Sequence, residues 1–202
     1  MIKHVLFDMG GVLLRFDGGW FLDHYNLTDE DRTLLMRVIF RSAEWVQIDR
    51  GTLTEAEGLA LFQSRLPEHL HGTAEELVMH WDQFRDDFSD MEELVRELTE
   101  RGWELCLLSN AGLRHHEYWP TYPVSRYFGD RVVISADLKL LKPEAEYYHE
   151  ALRRLGLRAE ECFFVDDSPA NIEGARRCGI DAVVYHGDCA ELRRELASRG
   201  IL

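Results

Sequence analysis

The chain has 202 residues, 46% hydrophobic and 30% charged, which suits one globular domain or a domain carrying a sizeable insertion. Its formal charge of −14 excludes sequence-independent binding to nucleic acid or to an anionic lipid surface, because both need basic surface. No stretch approaches the ~18 apolar residues of a membrane span, and the N-terminus turns acidic too early for a secretory signal, so a cytoplasmic location is expected.

Short apolar runs bounded by turn signals recur at HVLFD (4–8), ELCLLSN (104–110), RVVIS (131–135), CFFVDD (162–167) and DAVVY (181–185). Runs apolar on both faces mark buried strands of a parallel sheet. Helical patterns separate the later ones. In SDMEELVRELTERG, Ser89 and Glu92 have capping-box spacing, Met91, Leu94, Val95 and Leu98 form one apolar stripe, and Gly102 is the stop. In KPEAEYYHEALRRLG, Pro143 takes the first helical position and Gly156 the exit; in DSPANIEGARRCG, Ser168 caps, Pro169 starts and Gly179 ends the helix. Strand–helix alternation of these lengths predicts right-handed βαβ crossovers and an open α/β sheet. Cys106, Cys162, Cys178 and Cys189 show no CxxC spacing and are expected to be reduced thiols.

Residues 16–88 break this rhythm. They contain no convincing strand but several helical patterns, among them TLTEAEGLALFQSRL, where Thr54 and Glu57 form a capping box and Leu59, Phe62 and Leu66 share a face. So long a stretch is too much for a loop in a compact domain. It is expected to be a helical module inserted into a core made of residues 1–15 and 89–202. There it can cover the carboxyl end of the sheet, where open α/β sheets bind ligands.

The strand ends deliver chemistry. The first gives Asp8, the second Ser109 and Asn110, the fourth Asp166 and Asp167, and Lys142 precedes the helix leading into that fourth strand. Three carboxylates on one edge repel strongly, and a hard divalent cation resolves the repulsion; Mg²⁺ favours one or two carboxylates, waters and phosphate oxygens. A lysine and a hydroxyl with neighbouring backbone N–H groups complete a cradle for a phosphoryl group.

FDMGGVL, LLSN, LKPEAEYY and FFVDDSPANIEGA resemble, in order and separation, the four motifs of the haloacid-dehalogenase-like hydrolase superfamily. The resemblance covers the whole chain, and QIDRGTLTEAE is similar to cap segments of its phosphatases. It implies a Rossmann-like parallel core of about five strands with a small all-helical cap, and a Mg²⁺-dependent phosphatase acting on a small phosphorylated metabolite, as a monomer or homodimer. It also implies roles. Asp8 would be the nucleophile, forming an aspartyl-phosphate. Asp8, the Gly10 carbonyl and Asp167 would hold Mg²⁺, with Asp166 beside them directly or through water. Ser109 and the Asn110 amide would bind phosphoryl oxygens, and Lys142 would offset charge. The acidic pair separates the chain from the metal-free dehalogenases that name the family.

The chain departs from the pattern at Gly10, where phosphatases of this family usually carry a second aspartate that protonates the leaving group. General acid–base help is typically worth about 10²–10⁴-fold. Three explanations compete: a better leaving group, such as the anomeric oxygen of a sugar 1-phosphate; a substitute such as Asp17, His115 or His116; or a member that binds phosphate without turnover. A phosphomutase is a further reading, disfavoured because it needs the missing group more. LSNAGLRHHEYWPTYP followed by SADLKLLKPEAEYY is similar to small bacterial sugar-phosphate phosphatases, including glucose-1-phosphate phosphatases that also carry Asp-x-Gly, and this favours the first explanation. Of the adjacent histidines, one is expected exposed and the other bordering the pocket. Trp119, Tyr122, Tyr127 and Phe128 are expected to pack beneath the cap, and Arg50 to be solvated.

Overall fold

The computed structural model describes residues 1–202. Five strands, β1 (His4–Phe7), β2 (Glu104–Ser109), β3 (Val132–Ile134), β4 (Cys162–Asp166) and β5 (Asp181–Val184), form one sheet in the order β3-β2-β1-β4-β5, and every pairing is parallel. The chain builds outward from β1 to β3, then returns to the other side of β1. That reversal puts the topological switch between β1 and β4, whose carboxyl ends carry Asp8 and Asp166.

Side chains alternate across the strands, so each strand feeds two cores. Val5, Phe7, Leu105, Leu107, Phe163 and Val165 enter the larger one, while Leu6, Cys106, Leu108, Cys162 and Phe164 enter the other. This is why the strands read as unbroken apolar runs. The larger core takes Met91, Leu94, Val95 and Leu98 of one helix (Ser89–Glu100) and Leu192 and Leu196 of the last (Cys189–Ser198). The smaller takes Tyr147, Tyr148, Ala151 and Leu152 of Ala145–Leu155 and Ile172 and Ala175 of Pro169–Arg177. The four thiols are all free, and three of them are buried. No helix is long and apolar enough to cross a membrane.

Between β1 and the helix at Ser89 the chain is helical: α1 (Gly18–Leu22), α2 (Asp29–Leu35), which runs on into a π-helical turn, α3 (Ala43–Asp49), α4 (Glu55–Gln63) and α5 (His71–Met79). The Thr54–Glu57 box caps α4 as expected. The expected Ser89–Glu92 box does not form. Phe88 is the N-cap and Ser89 is already helical, with the Phe88 carbonyl accepting from Met91 N and Glu92 N at 3.0 Å. The cause is non-local: residues 13–15 pair with 86–88 (Arg15 N to Asp86 O 3.0 Å, Phe88 N to Leu13 O 3.4 Å), and this fixes where the helix can begin. Pro143 also falls short of its expected place, because the helix starts at Ala145 after the N-cap Glu144. Ser168, Pro169, Gly156 and Gly179 take their expected positions at helix ends.

The helical segment docks on the strand-end loops through contacts far apart in sequence. The Arg50 guanidinium pairs with both Glu144 carboxylate oxygens, the Ser135 hydroxyl donates to the Asp49 carbonyl, and Arg114 N–H donates to Glu55 Oε1 at 3.0 Å. Arg50 is therefore an anchor of the segment, not the solvated side chain expected. At the Glu55 contact Gly112 is closely packed: a Cβ there would lie 2.5 Å from Glu55 Oε1 and 2.9 Å from Ile48 Cγ2, so these side chains would have to move. Gly112→Ala is expected to displace the Glu55 carboxylate from the Arg114 N–H and crowd Ile48, and to lower the unfolding free energy by about 1–3 kcal/mol. Urea denaturation measures this, and an unchanged midpoint would count against the docking described.

Candidate active site

The turn after β1 is closed by its own backbone. Asp8 N donates to Val165 O at 2.9 Å, Leu13 N to Met9 O at 2.9 Å, and Gly11 N to Leu14 O at 2.8 Å. Gly11 has φ +76°, and a Cβ on it would overlap the Asp167 carboxylate; glycine here admits both the left-handed turn and the approach of the fourth strand's acidic pair. The turn leaves the Met9 and Gly10 N–H groups without a partner in the protein, and the Asn110 N–H after β2 is likewise free. All three residues line one cavity of about 240 Å³ together with Asp8, Ser109, Lys142 and Asp167.

Lys142 is the centre of the charge arrangement. Its side chain is 1% exposed, and Nζ lies 2.8 Å from Asp8 Oδ1, 2.7 Å from Asp166 Oδ2 and 2.8 Å from the Leu108 carbonyl oxygen. Burial alone would lower its pKa, but Asp166 and Asp8 outweigh it and hold the ammonium well above the usual lysine range. Two buried carboxylates thus guarantee the charge of the one buried lysine.

Asp8, Asp166 and Asp167 bring carboxylate oxygens within 4.8 Å of one another. Asp166 is saturated: Ser168 N and Asn171 Nδ2 donate to Oδ1 at 2.8 and 3.0 Å, and Lys142 and Asn171 Nδ2 donate to Oδ2 at 2.7 and 3.1 Å. The Asp167 carboxylate takes no hydrogen bond from another residue, only its own backbone N–H lying against it. Burial, opposed by Lys142 and reinforced by Asp166 and Asp167, pushes Asp8 up to about 7. Burial and then Asp166 raise Asp167 as well. Three carboxylates against one ammonium leave the cluster short of positive charge, and an all-oxygen donor set of this kind fits a hard divalent cation.

The structure brings Asp8, Gly10, Ser109, Asn110, Lys142 and Asp167 to one cavity wall, with Asp166 directly behind. It also shows which amide of Asn110 is available. The side-chain amide is engaged twice with the Lys142 backbone (Nδ2 to O 3.0 Å, Lys142 N to Oδ1 2.9 Å), so only the main-chain N–H is left to face a ligand. None of the substitutes for the missing aspartate lines the cavity. Asp17 caps α1, accepting from Trp20 N at 2.6 Å. His116 lies outside, 3.0 Å from Asp137. His115 is buried against Trp119 rather than at the pocket, neither ring nitrogen has a partner, and burial pushes it down to about 3. Trp119, Tyr122 and Phe128 are core side chains as expected, with Tyr127 packed against them.

Sequence reasoning missed the far wall. Phe16, Trp45, Ile48, Val78, Trp81 and Tyr118 supply apolar surface there, and Asp49, Glu55 and Arg114 supply polar groups. It also missed Asn171, whose place in the first turn after Asp166 was the available signal.

A haloacid dehalogenase-like hydrolase family model matches residues 2–179. The chain is 22% identical to a drimenol cyclase of Aspergillus calidoustus over 98% of its own length but only 36% of that protein's. It is 26% identical to a sesquiterpene phosphatase of Aspergillus oryzae over 95% of each. A Bacteroides thetaiotaomicron enzyme of the same family, crystallised in complex with magnesium and inorganic phosphate, shares the fold at TM-score 0.71 and 24% identity, covering 93% of this chain and 96% of its own. The acidic strand ends, the lysine between them and a family model spanning nearly the whole sheet agree, and the chain belongs to the haloacid dehalogenase-like hydrolases.

Proposed function

We propose that the protein is a Mg²⁺-dependent phosphomonoester hydrolase that works through an aspartyl-phosphate on Asp8. The observation that carries this reading is the juxtaposition of three unpartnered N–H donors with the Asp8 and Asp167 carboxylates on one cavity wall, Asp166 lying directly behind. The carboxylates suit a cation and the N–H groups suit phosphoryl oxygens. Asp8, the Gly10 carbonyl and Asp167 would hold the ion, with Asp166 organising the lysine behind them. When bound, Mg²⁺ would neutralise charge between the carboxylates and the phosphoryl group.

The remaining work falls to the chain itself. Lys142 fixes the Asp8 carboxylate by one oxygen. Ser109 and the Met9, Gly10 and Asn110 N–H groups cradle the phosphoryl oxygens, so that their dipoles are in place before charge develops. Residues 16–88 act as a cap that closes the cavity and excludes water. A sugar phosphate such as an aldose 1-phosphate suits a wall where Trp45 and Trp81 offer faces to a ring and Glu55 and Arg114 offer partners to hydroxyls. A second reading, an apolar organic phosphate, is favoured by the eight hydrophobic residues among the nineteen that line the cavity.

The test is hydrolysis of p-nitrophenyl phosphate with Mg²⁺, with EDTA, and with Mg²⁺ restored. Turnover lost to EDTA and regained with the metal is expected. Absence of turnover with Mg²⁺ would leave a phosphate-binding protein instead. A panel of sugar, nucleotide and prenyl phosphates then separates the two substrate readings by kcat/KM.

A further inference from the structure

A phosphomonoesterase must protonate its leaving alkoxide and deprotonate the water that follows. Gly10 can do neither, because it has no side chain. A Cβ on Gly10 would lie 3.1 Å from Phe16 Cβ, a tight contact on that side of the cavity. The proton has to come from another wall of the same cavity.

Four acidic side chains face that cavity: Asp8, Asp49, Glu55 and Asp167. Asp8 is paired with Lys142, Asp167 belongs to the carboxylate cluster, and Glu55 is tied by Oε1 to the Arg114 N–H. Asp49 alone is uncommitted. Its backbone carbonyl takes the Ser135 hydroxyl, which anchors the end of α3, but its carboxyl group accepts no hydrogen bond and joins no ion pair. An acidic group left without a protein partner on the wall of a partly enclosed cavity is costly unless it has work there.

Resting on the phosphatase reading above, we infer that Asp49 is the general acid and base of the reaction, supplied by the helical segment in place of a residue at Gly10. The charged and titratable groups around it are Glu55 on α4, Asp8 after β1, Arg114 and Tyr118. Burial, then Glu55 and Asp8, hold the Asp49 carboxyl well above the usual carboxylate range, which favours the proton-bearing form that a general acid needs.

The proton balance closes over two steps. As an Asp8 oxygen bonds to phosphorus and the ester P–O bond breaks, the Asp49 proton passes to the departing oxygen and the alcohol leaves. Asp49, now a carboxylate, takes a proton from water as the water oxygen bonds to phosphorus. The Asp8–phosphorus link breaks, inorganic phosphate is formed and Asp49 is protonated again. Because Asp49 sits at the end of α3, held by Ser135 and flanked by the Arg50–Glu144 anchor, the acid is in place only when the helical segment is docked.

The test is Asp49→Asn against esters of different leaving-group basicity. On an alkyl or sugar phosphate, kcat/KM is expected to fall by about 10²–10⁴-fold. On p-nitrophenyl phosphate, whose leaving group needs no proton, the first turnover is expected to stay at the wild-type rate as a burst. The steady state then slows, because the water has lost its base. Formate added to Asp49→Ala is expected to restore part of the turnover. Equal losses on both esters with no burst, or no loss at all, would overturn the assignment while leaving the phosphatase reading intact. An unsubstituted enzyme inactive on every ester with Mg²⁺ would overturn both.

Discussion

Asp8→Asn is expected to abolish phosphate release while the chain still folds. The substitution keeps the size of a side chain that is 11% exposed but removes the nucleophilic oxygen, and loss of a nucleophile costs at least about 10⁴-fold in kcat. Folding survives because Lys142 retains Asp166 and the Leu108 carbonyl as partners. The change also removes a charge that burial already disfavours, since Asp8 stands at about 7. Phosphate release, acid-quenched labelling of the enzyme and a thermal melt check the three parts together. Wild-type turnover in this variant would show that another group attacks phosphorus.

Lys142→Met is expected to have the largest effect on stability. It removes the ammonium between two buried carboxylates at 2.8 and 2.7 Å and leaves them facing one another. Breaking a buried pair in this way costs about 3–5 kcal/mol. The sign of the pH dependence follows from Asp8. With Lys142 in place, burial already raises its pKa to about 7, and the variant loses the neighbour that lowers it. A carboxyl group whose folded-state pKa is raised binds more protons folded than unfolded, so its penalty to the fold grows from the unfolded pKa up to the folded one, is full above it, and fades as pH falls towards the unfolded pKa. The deficit should therefore be greatest near pH 8 and shrink towards pH 5. Urea denaturation in EDTA at both pH values measures it. A loss below about 1 kcal/mol at pH 8 would mean that the lysine is not what neutralises the cluster.

Both predictions concern residues visible in the sequence, and the reason is local. A strand buried on both faces needs an unbroken apolar run, and a polar residue at its end must sit at the sheet's rim. Asp8, Ser109 and Asp166 were therefore placed by their own neighbours along the chain. The Thr54–Glu57 and Ser168 caps were legible for the same reason, since a cap is made within four residues. Ser89 had the same local spacing, yet the pairing of 13–15 with 86–88 decided its place.

What the sequence determined by itself was the set of strands, the acidic rim at their ends and the existence of a helical stretch between the first two. What only the tertiary structure decided was which side chains of that stretch meet the rim. Arg50 reaches Glu144, Glu55 reaches Arg114 and the end of α3 at Asp49 is held by Ser135, across 94, 59 and 86 residues of chain. No periodicity within a helix encodes such a meeting. Amphipathic spacing says which face of a helix is apolar, but the docking of that face fixes which of its polar neighbours are turned into the cavity.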